Sequence, residues 1–161
     1  MKKTLIICAF LMIGASVYAQ SEFESFKKFE IKTNVFYDVL GAADLTLEAF
    51  TSENFSLGIS GHYTYSNRWE SEPRFLFFFA RQYIGSRQSK GLYLEPFFTV
   101  NWEDSQSGKM SSGAGLAAGH KWFIGKKFLL ETFIGIGENF LSDPDNSGTV
   151  GRIGVNFGIR L

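Results

Sequence analysis

The stretch Arg152-Ile153-Gly154-Val155-Asn156-Phe157-Gly158-Ile159-Arg160-Leu161 alternates residue by residue. Ile153, Val155, Phe157, Ile159 and Leu161 fall on one face; Arg152, Gly154, Asn156, Gly158 and Arg160 fall on the other. Successive side chains point to opposite faces of a strand, whereas a helix with this spacing would scatter its charges all round. The segment therefore reads as a strand with an apolar face and a face of glycines and cations.

Working back from it, the same period of two recurs. Phe128, Leu130, Thr132, Ile134 and Ile136 alternate with Leu129, Glu131, Phe133, Gly135 and Gly137. Ala114, Leu116, Ala118, His120, Trp122 and Ile124 alternate with Gly115, Ala117, Gly119 and Lys121. Leu92, Leu94, Pro96, Phe98, Val100 and Trp102 alternate with Tyr93, Glu95, Phe97, Thr99, Asn101 and Glu103. The fourth strand from the start has Phe75, Phe77 and Phe79 on one parity, with Glu72, Arg74, Leu76, Phe78 and Ala80 on the other. A third runs from Phe55 to Tyr65, a second puts Leu45, Leu47 and Ala49 opposite Thr46, Glu48 and Phe50, and a first runs from Phe29 to Val39. Separators fall near Ala43, Asn54, Trp69, Ser86, Gly108, Lys126 and Asn146. Eight strands of about ten residues match what a tilted strand needs to cross a bilayer. An even antiparallel set closes without an exposed edge. The expected fold is all-β, an eight-stranded antiparallel up-and-down transmembrane β-barrel.

Composition agrees with this pattern. The chain has 17 glycines and 18 phenylalanines but only 3 prolines, which suits strands with closely approaching backbones. At the N-terminus, Lys2 and Lys3 precede an apolar run from Thr4 to Val17, and Val17-Tyr18-Ala19 offers small residues for cleavage before Gln20. That is the layout of a secretory signal peptide, too short for a membrane helix. Residues 1–19 are thus expected to be removed, leaving a barrel domain of residues 20–161. The only cysteine, Cys8, would leave with the signal, so no disulfide, thiol nucleophile or cysteine ligand is expected. With Lys2 and Lys3 gone and no acid lost, the formal charge moves from zero to −2, without the basic footprint of a nucleic-acid binder.

Alternation alone does not say which face is outside. A lipocalin-like barrel turns its apolar face inward around a ligand; a membrane barrel turns it toward lipid. Here the polar face carries small residues such as Gly58, Ser60, Gly115, Ala117 and Gly154 between single charges, which suits a narrow interior. Tyr37, Tyr63, Tyr65, Trp102, His120, Trp122 and Phe157 sit near strand ends on the apolar face, as interfacial aromatics do. The chain also stops inside its last strand at Leu161, as outer-membrane barrels do.

By parity the lumen receives Glu30, Lys32, Asp38, Glu48, Glu72, Arg74, Glu95, Glu103, Lys121, Glu131, Arg152 and Arg160. Charges in a dry interior need partners. The expected site is therefore an ion-pair network built from Glu48, Glu72, Arg74, Glu95, Lys121, Glu131, Arg152 and Arg160. A proton or ion path is the alternative.

Other motifs favour plain readings. Gly113 to Gly119 is rich in glycine but has no strand–loop–helix context, so a strand interior is expected rather than a phosphate loop. His62 and Ser66-Asn67 resemble the His-x-Ser-Asn stretch of outer-membrane lipid A deacylases, but the spacing differs and the parity is inward. His62 and His120 are too far apart to make a metal site, and Asp143 to Gly148 lacks the spacing of a calcium loop.

Lys32-Thr33-Asn34, Leu47-Glu48, Glu72-Pro73-Arg74-Phe75, Gly115 to Trp122, Leu130-Glu131 with Gly135 and Gly137, and Gly158-Ile159-Arg160 together carry a resemblance. The chain resembles the domain-of-unknown-function 3575 family of small outer-membrane barrels, which are OmpA/OmpX-like. It departs at His120-Lys121, where an aromatic pattern is expected. The resemblance implies the barrel and supplies no activity.

The expectation is a cell outer-membrane protein with a structural or interaction role, no enzymatic activity and no cofactor. Its expected partners are membrane lipids and lipopolysaccharide, with the barrel assembly machinery during insertion, no nucleic acid, and the chain a monomer. The alternatives are a lipid-modifying enzyme of the lipid A deacylase or acyltransferase type, and a soluble periplasmic barrel holding a small hydrophobic ligand.

Overall fold

The structure is a computed structural model that describes residues 29–66, 73–84, 89–103, 110–141 and 148–161. The N-terminal segment expected to be a signal peptide, Glu72 and most of the Asp143 to Gly148 stretch lie outside these residues. Eight strands form one closed antiparallel barrel in chain order: β1 (Phe29–Asn34), β2 (Ala42–Ser52), β3 (Phe55–Thr64), β4 (Pro73–Tyr83), β5 (Gly91–Glu103), β6 (Met110–Ile124), β7 (Phe128–Leu141) and β8 (Thr149–Arg160). β8 pairs back to β1 and removes the last free edge.

The first strand is shorter than its period of two implies. β1 stops at Asn34 and Val35–Leu40 form a helical turn, α1. Asn34 leaves the strand as the N-cap, its side chain accepting from Phe36 N–H, and Gly41 closes the turn at φ 89°, where only glycine is unstrained. The break moves three residues. Asp38 lies exposed on α1 rather than in the lumen, Tyr37 turns its ring onto His62 instead of joining an outer girdle, and Ala43 falls within β2.

The wall and the lumen have opposite chemistry. Outward residues include Ile31, Leu45, Leu47, Leu57, Leu92, Leu94, Leu116, Ile134, Ile136 and Ile153, all large, apolar and exposed. Inward, large side chains fit against glycines on neighbouring strands. A Cβ on Gly58 would run into the Phe79 ring, one on Gly119 would come within 2.5 Å of Tyr93, and one on Gly115 within 2.5 Å of Phe97. Glycines on the lumen face thus make room for aromatic rings, so a narrow barrel is filled by side chains.

Candidate functional site

The lumen is packed by Phe77, Phe79, Phe97 and Phe133 in its middle and by ion pairs toward the end that carries the β6–β7 turn. Each charged group there arises from the inward parity of its strand: Glu30 and Lys32 on β1, Glu48 on β2, Arg81 on β4, Glu95 on β5, Lys121 on β6, Glu131 on β7, Arg152 and Arg160 on β8.

Glu48 is the hub. It accepts from Lys32 Nζ and Ser56 Oγ, from Arg81 Nη1 at 2.7 Å and from Tyr83 OH at 2.8 Å, and Lys121 Nζ lies 3.4 Å away. Glu131 lies 2.5 Å from Arg81 Nη1 and 2.9 Å from Lys32 Nζ, and Asn156 donates to it at 3.3 Å. Glu95 joins Arg81 at 2.5 Å to Arg152 at 2.6 Å. Glu30 joins Lys121 at 2.6 Å to Arg160 at 2.5 Å. The cations also lie over rings: Arg81 over Tyr93 at 4.4 Å, Arg152 over Phe77 at 4.4 Å and Lys121 over Tyr83 at 4.8 Å. Asp44 stands apart, accepting from Ser60 at 3.0 Å and Thr46 at 3.2 Å.

Counted with Asp44, the described lumen holds five carboxylates (Glu30, Asp44, Glu48, Glu95, Glu131) and five cations (Lys32, Arg81, Lys121, Arg152, Arg160). The balance matters because an uncompensated charge in a dry interior costs several kcal/mol. Glu30, Glu48 and Glu131 have carboxylate oxygens within 4.8 Å of one another, a spacing that would suit a cation. Lys32 and Lys121 lie against all three carboxylates and Arg81 against two of them, so their charge is already answered.

Of the residues assigned to the network from sequence, the structure brings together Glu48, Glu95, Lys121, Glu131, Arg152 and Arg160. Arg74 does not belong to it. In β4 the odd parity faces inward, so Phe75, Phe77, Phe79, Arg81 and Tyr83 point to the lumen while Arg74 stacks on the outward Tyr63 ring at 5.1 Å. Glu72 and the Glu103 side chain lie outside the described residues. Sequence reasoning missed Arg81, which takes the place given to Arg74. The signal was available: extending the Phe75, Phe77, Phe79 parity reaches Arg81 and Tyr83.

At the opposite end, the His62 ring is held between Tyr37 at 4.5 Å and Phe75 at 5.6 Å, with Nε2 3.4 Å from Thr64 Oγ1. Partial burial, then the Asp44 carboxylate, push the Tyr37 phenol above its ordinary pKa. Ser66 packs on Gly41 and donates its N–H to the Gly41 carbonyl at 3.1 Å.

An apolar-walled, closed barrel of eight strands whose lumen is plugged by paired charges and aromatic rings defines the structural class. The chain belongs to the family described as "Protein of unknown function (DUF3575)", whose sequence model matches residues 5–147. No curated protein and no solved structure matches it.

Proposed function

We propose that this chain spans the outer membrane of a Gram-negative envelope as a plugged barrel with a structural or interaction role. The observation that carries the reading is the inversion of wall and lumen. Large apolar side chains ring the outside while the charged strand residues Glu30, Lys32, Glu48, Arg81, Glu95, Lys121, Glu131, Arg152 and Arg160 face in. In water such a wall would be a very large exposed apolar surface; in hydrocarbon it is the stable arrangement, because a closed barrel satisfies its backbone internally. Strands β2 to β8 are 10 to 15 residues long, enough to cross a bilayer when tilted. By the usual topology of such barrels, α1 and the neighbouring odd connections face outward and the β6–β7 turn faces the periplasm.

The described lumen holds ion pairs where a lipocalin-like barrel would hold an apolar ligand. Membrane fractionation with gel mobility before and after boiling tests the location. The protein is expected in the outer-membrane fraction with a heat-dependent shift; a soluble, detergent-independent protein would overturn the reading. Lipid A mass spectra with and without the gene test the role, and an altered acyl pattern would replace it with an enzymatic one.

A further inference from the structure

On the outer wall near the β2–β3 turn, an open groove of about 540 Å³ runs over β1, β2 and β3. It arises from register. Ile31, Leu47 and Ile59 form one outward row across the three strands, and Phe29, Ala49 and Leu57 form the next. Ala49 is the one small side chain among these six, so the second row is notched between Phe29 and Leu57. Leu161, hydrogen-bonded through its N–H to the Phe29 carbonyl, extends the wall on the far side.

We propose that this groove binds one acyl chain of a membrane phospholipid. The proposal rests on the membrane-spanning reading above. Glu30 and Glu48 border the groove, but their side chains have no exposed area and point into the lumen, so they offer only backbone already paired in the sheet. Gly58 likewise adds only backbone. A groove of carbon with its backbone groups paired offers nothing to a sugar or a headgroup. It would leave the amides of an extended peptide unmet at a cost of about 2–7 kcal/mol each. A hydrocarbon chain has no such demand. The volume falls within the roughly 300–1,000 Å³ of ordinary ligand sites, and the groove is continuous with the apolar wall that faces lipid in the proposed orientation. Its position gives the bound chain a role: it covers the outer side of β1, the shortest strand, whose inner side is held by the Glu30 and Lys32 ion pairs.

The test uses the full mature chain refolded into phosphatidylethanolamine–phosphatidylglycerol vesicles, extracted with mild detergent and weighed by native mass spectrometry. Wild type is expected to retain bound phospholipid. Ala49→Phe fills the notch and is expected to lose it, with Ala49→Leu serving the same purpose should the larger ring block insertion. Ala118→Phe adds the same bulk at an exposed wall position on β6 and is expected to retain lipid as wild type does. Equal retention by wild type and the Ala49 variants, or none by wild type, would overturn the groove alone. Failure of wild type to float with the vesicles would overturn the membrane reading and this proposal together.

Discussion

Glu30 and Arg160 stand directly opposite each other across the seam where β8 closes on β1, with Arg160 Nη2 2.5 Å from Glu30 Oε1. The seam is short, covering Glu30 to Asn34 on β1 against Arg160 to Asn156 on β8. Side chains lengthen it. Asn34 accepts from Val155 N–H at 3.2 Å and donates to the Ile153 carbonyl at 3.4 Å, continuing the ladder after the backbone has turned into α1. Closure therefore depends on inward side chains as well as on backbone pairing.

Glu30→Leu is expected to destabilise the barrel by about 3–5 kcal/mol, because it removes from a buried cluster the carboxylate that Arg160 meets at 2.5 Å and Lys121 at 2.6 Å. Glu30→Gln keeps acceptor geometry and should cost less. The temperature at which the folded gel band converts to the unfolded one measures both. Unchanged conversion in Glu30→Leu would show that the pair does not hold the seam.

Arg81 and Arg74 lie on the same strand but on opposite faces, and they should behave differently. Arg81→Leu removes the only described cation that joins Glu48, Glu95 and Glu131, and is expected to cost about 3–5 kcal/mol. Arg74→Leu acts on the outer wall, where the stacking contact with Tyr63 is worth about 0.5–1 kcal/mol, and is expected to cost less than Arg81→Leu. Detergent unfolding curves for the two variants settle the assignment, and equal losses would contradict the parity of β4.

The contrast between these two arginines also marks how far the sequence could be read. β8 was legible because glycine and arginine alternate with aliphatics, so polarity labels each face. In β4 the run Phe75-Leu76-Phe77-Phe78-Phe79-Ala80 is apolar on both parities, and the arginines that flank it, Arg74 and Arg81, fall on opposite ones, so each face carries one charge. What decides the face is steric: Phe79 needs Gly58 beside it, a relation across strands that one strand alone does not display. β1 was overextended for a similar reason. Val35 to Leu40 keeps apolar residues on both parities, and the break comes from Asn34 capping a turn that Gly41 ends.

The glycine–ring fit makes a prediction of its own. Gly58→Ala puts a methyl group into the Phe79 ring and is expected to cost about 1–3 kcal/mol by overpacking. Phe79→Leu alone opens a void. The double variant should recover part of the loss, giving a non-additive cycle. Strict additivity in denaturation measurements would mean that the two side chains do not share this space.

The plugged lumen bears on conduction. Lys32, Glu48, Arg81, Glu95, Lys121 and Glu131 all have side chains without exposed area, so no column of water reaches them. An ion crossing this layer would have to shed its hydration and displace paired charges, each step costing several kcal/mol. Purified protein in planar bilayers is accordingly expected to show no steady conductance at moderate voltage. Arg152 sits over Phe77, Phe79 and Phe133 where the aromatic and charged layers meet, so Arg152→Ala removes bulk from both and frees Glu95 from one partner. Brief openings in Arg152→Ala against a silent wild type would locate the block in this layer, whereas a steady ohmic current through wild type would show that the lumen is not closed.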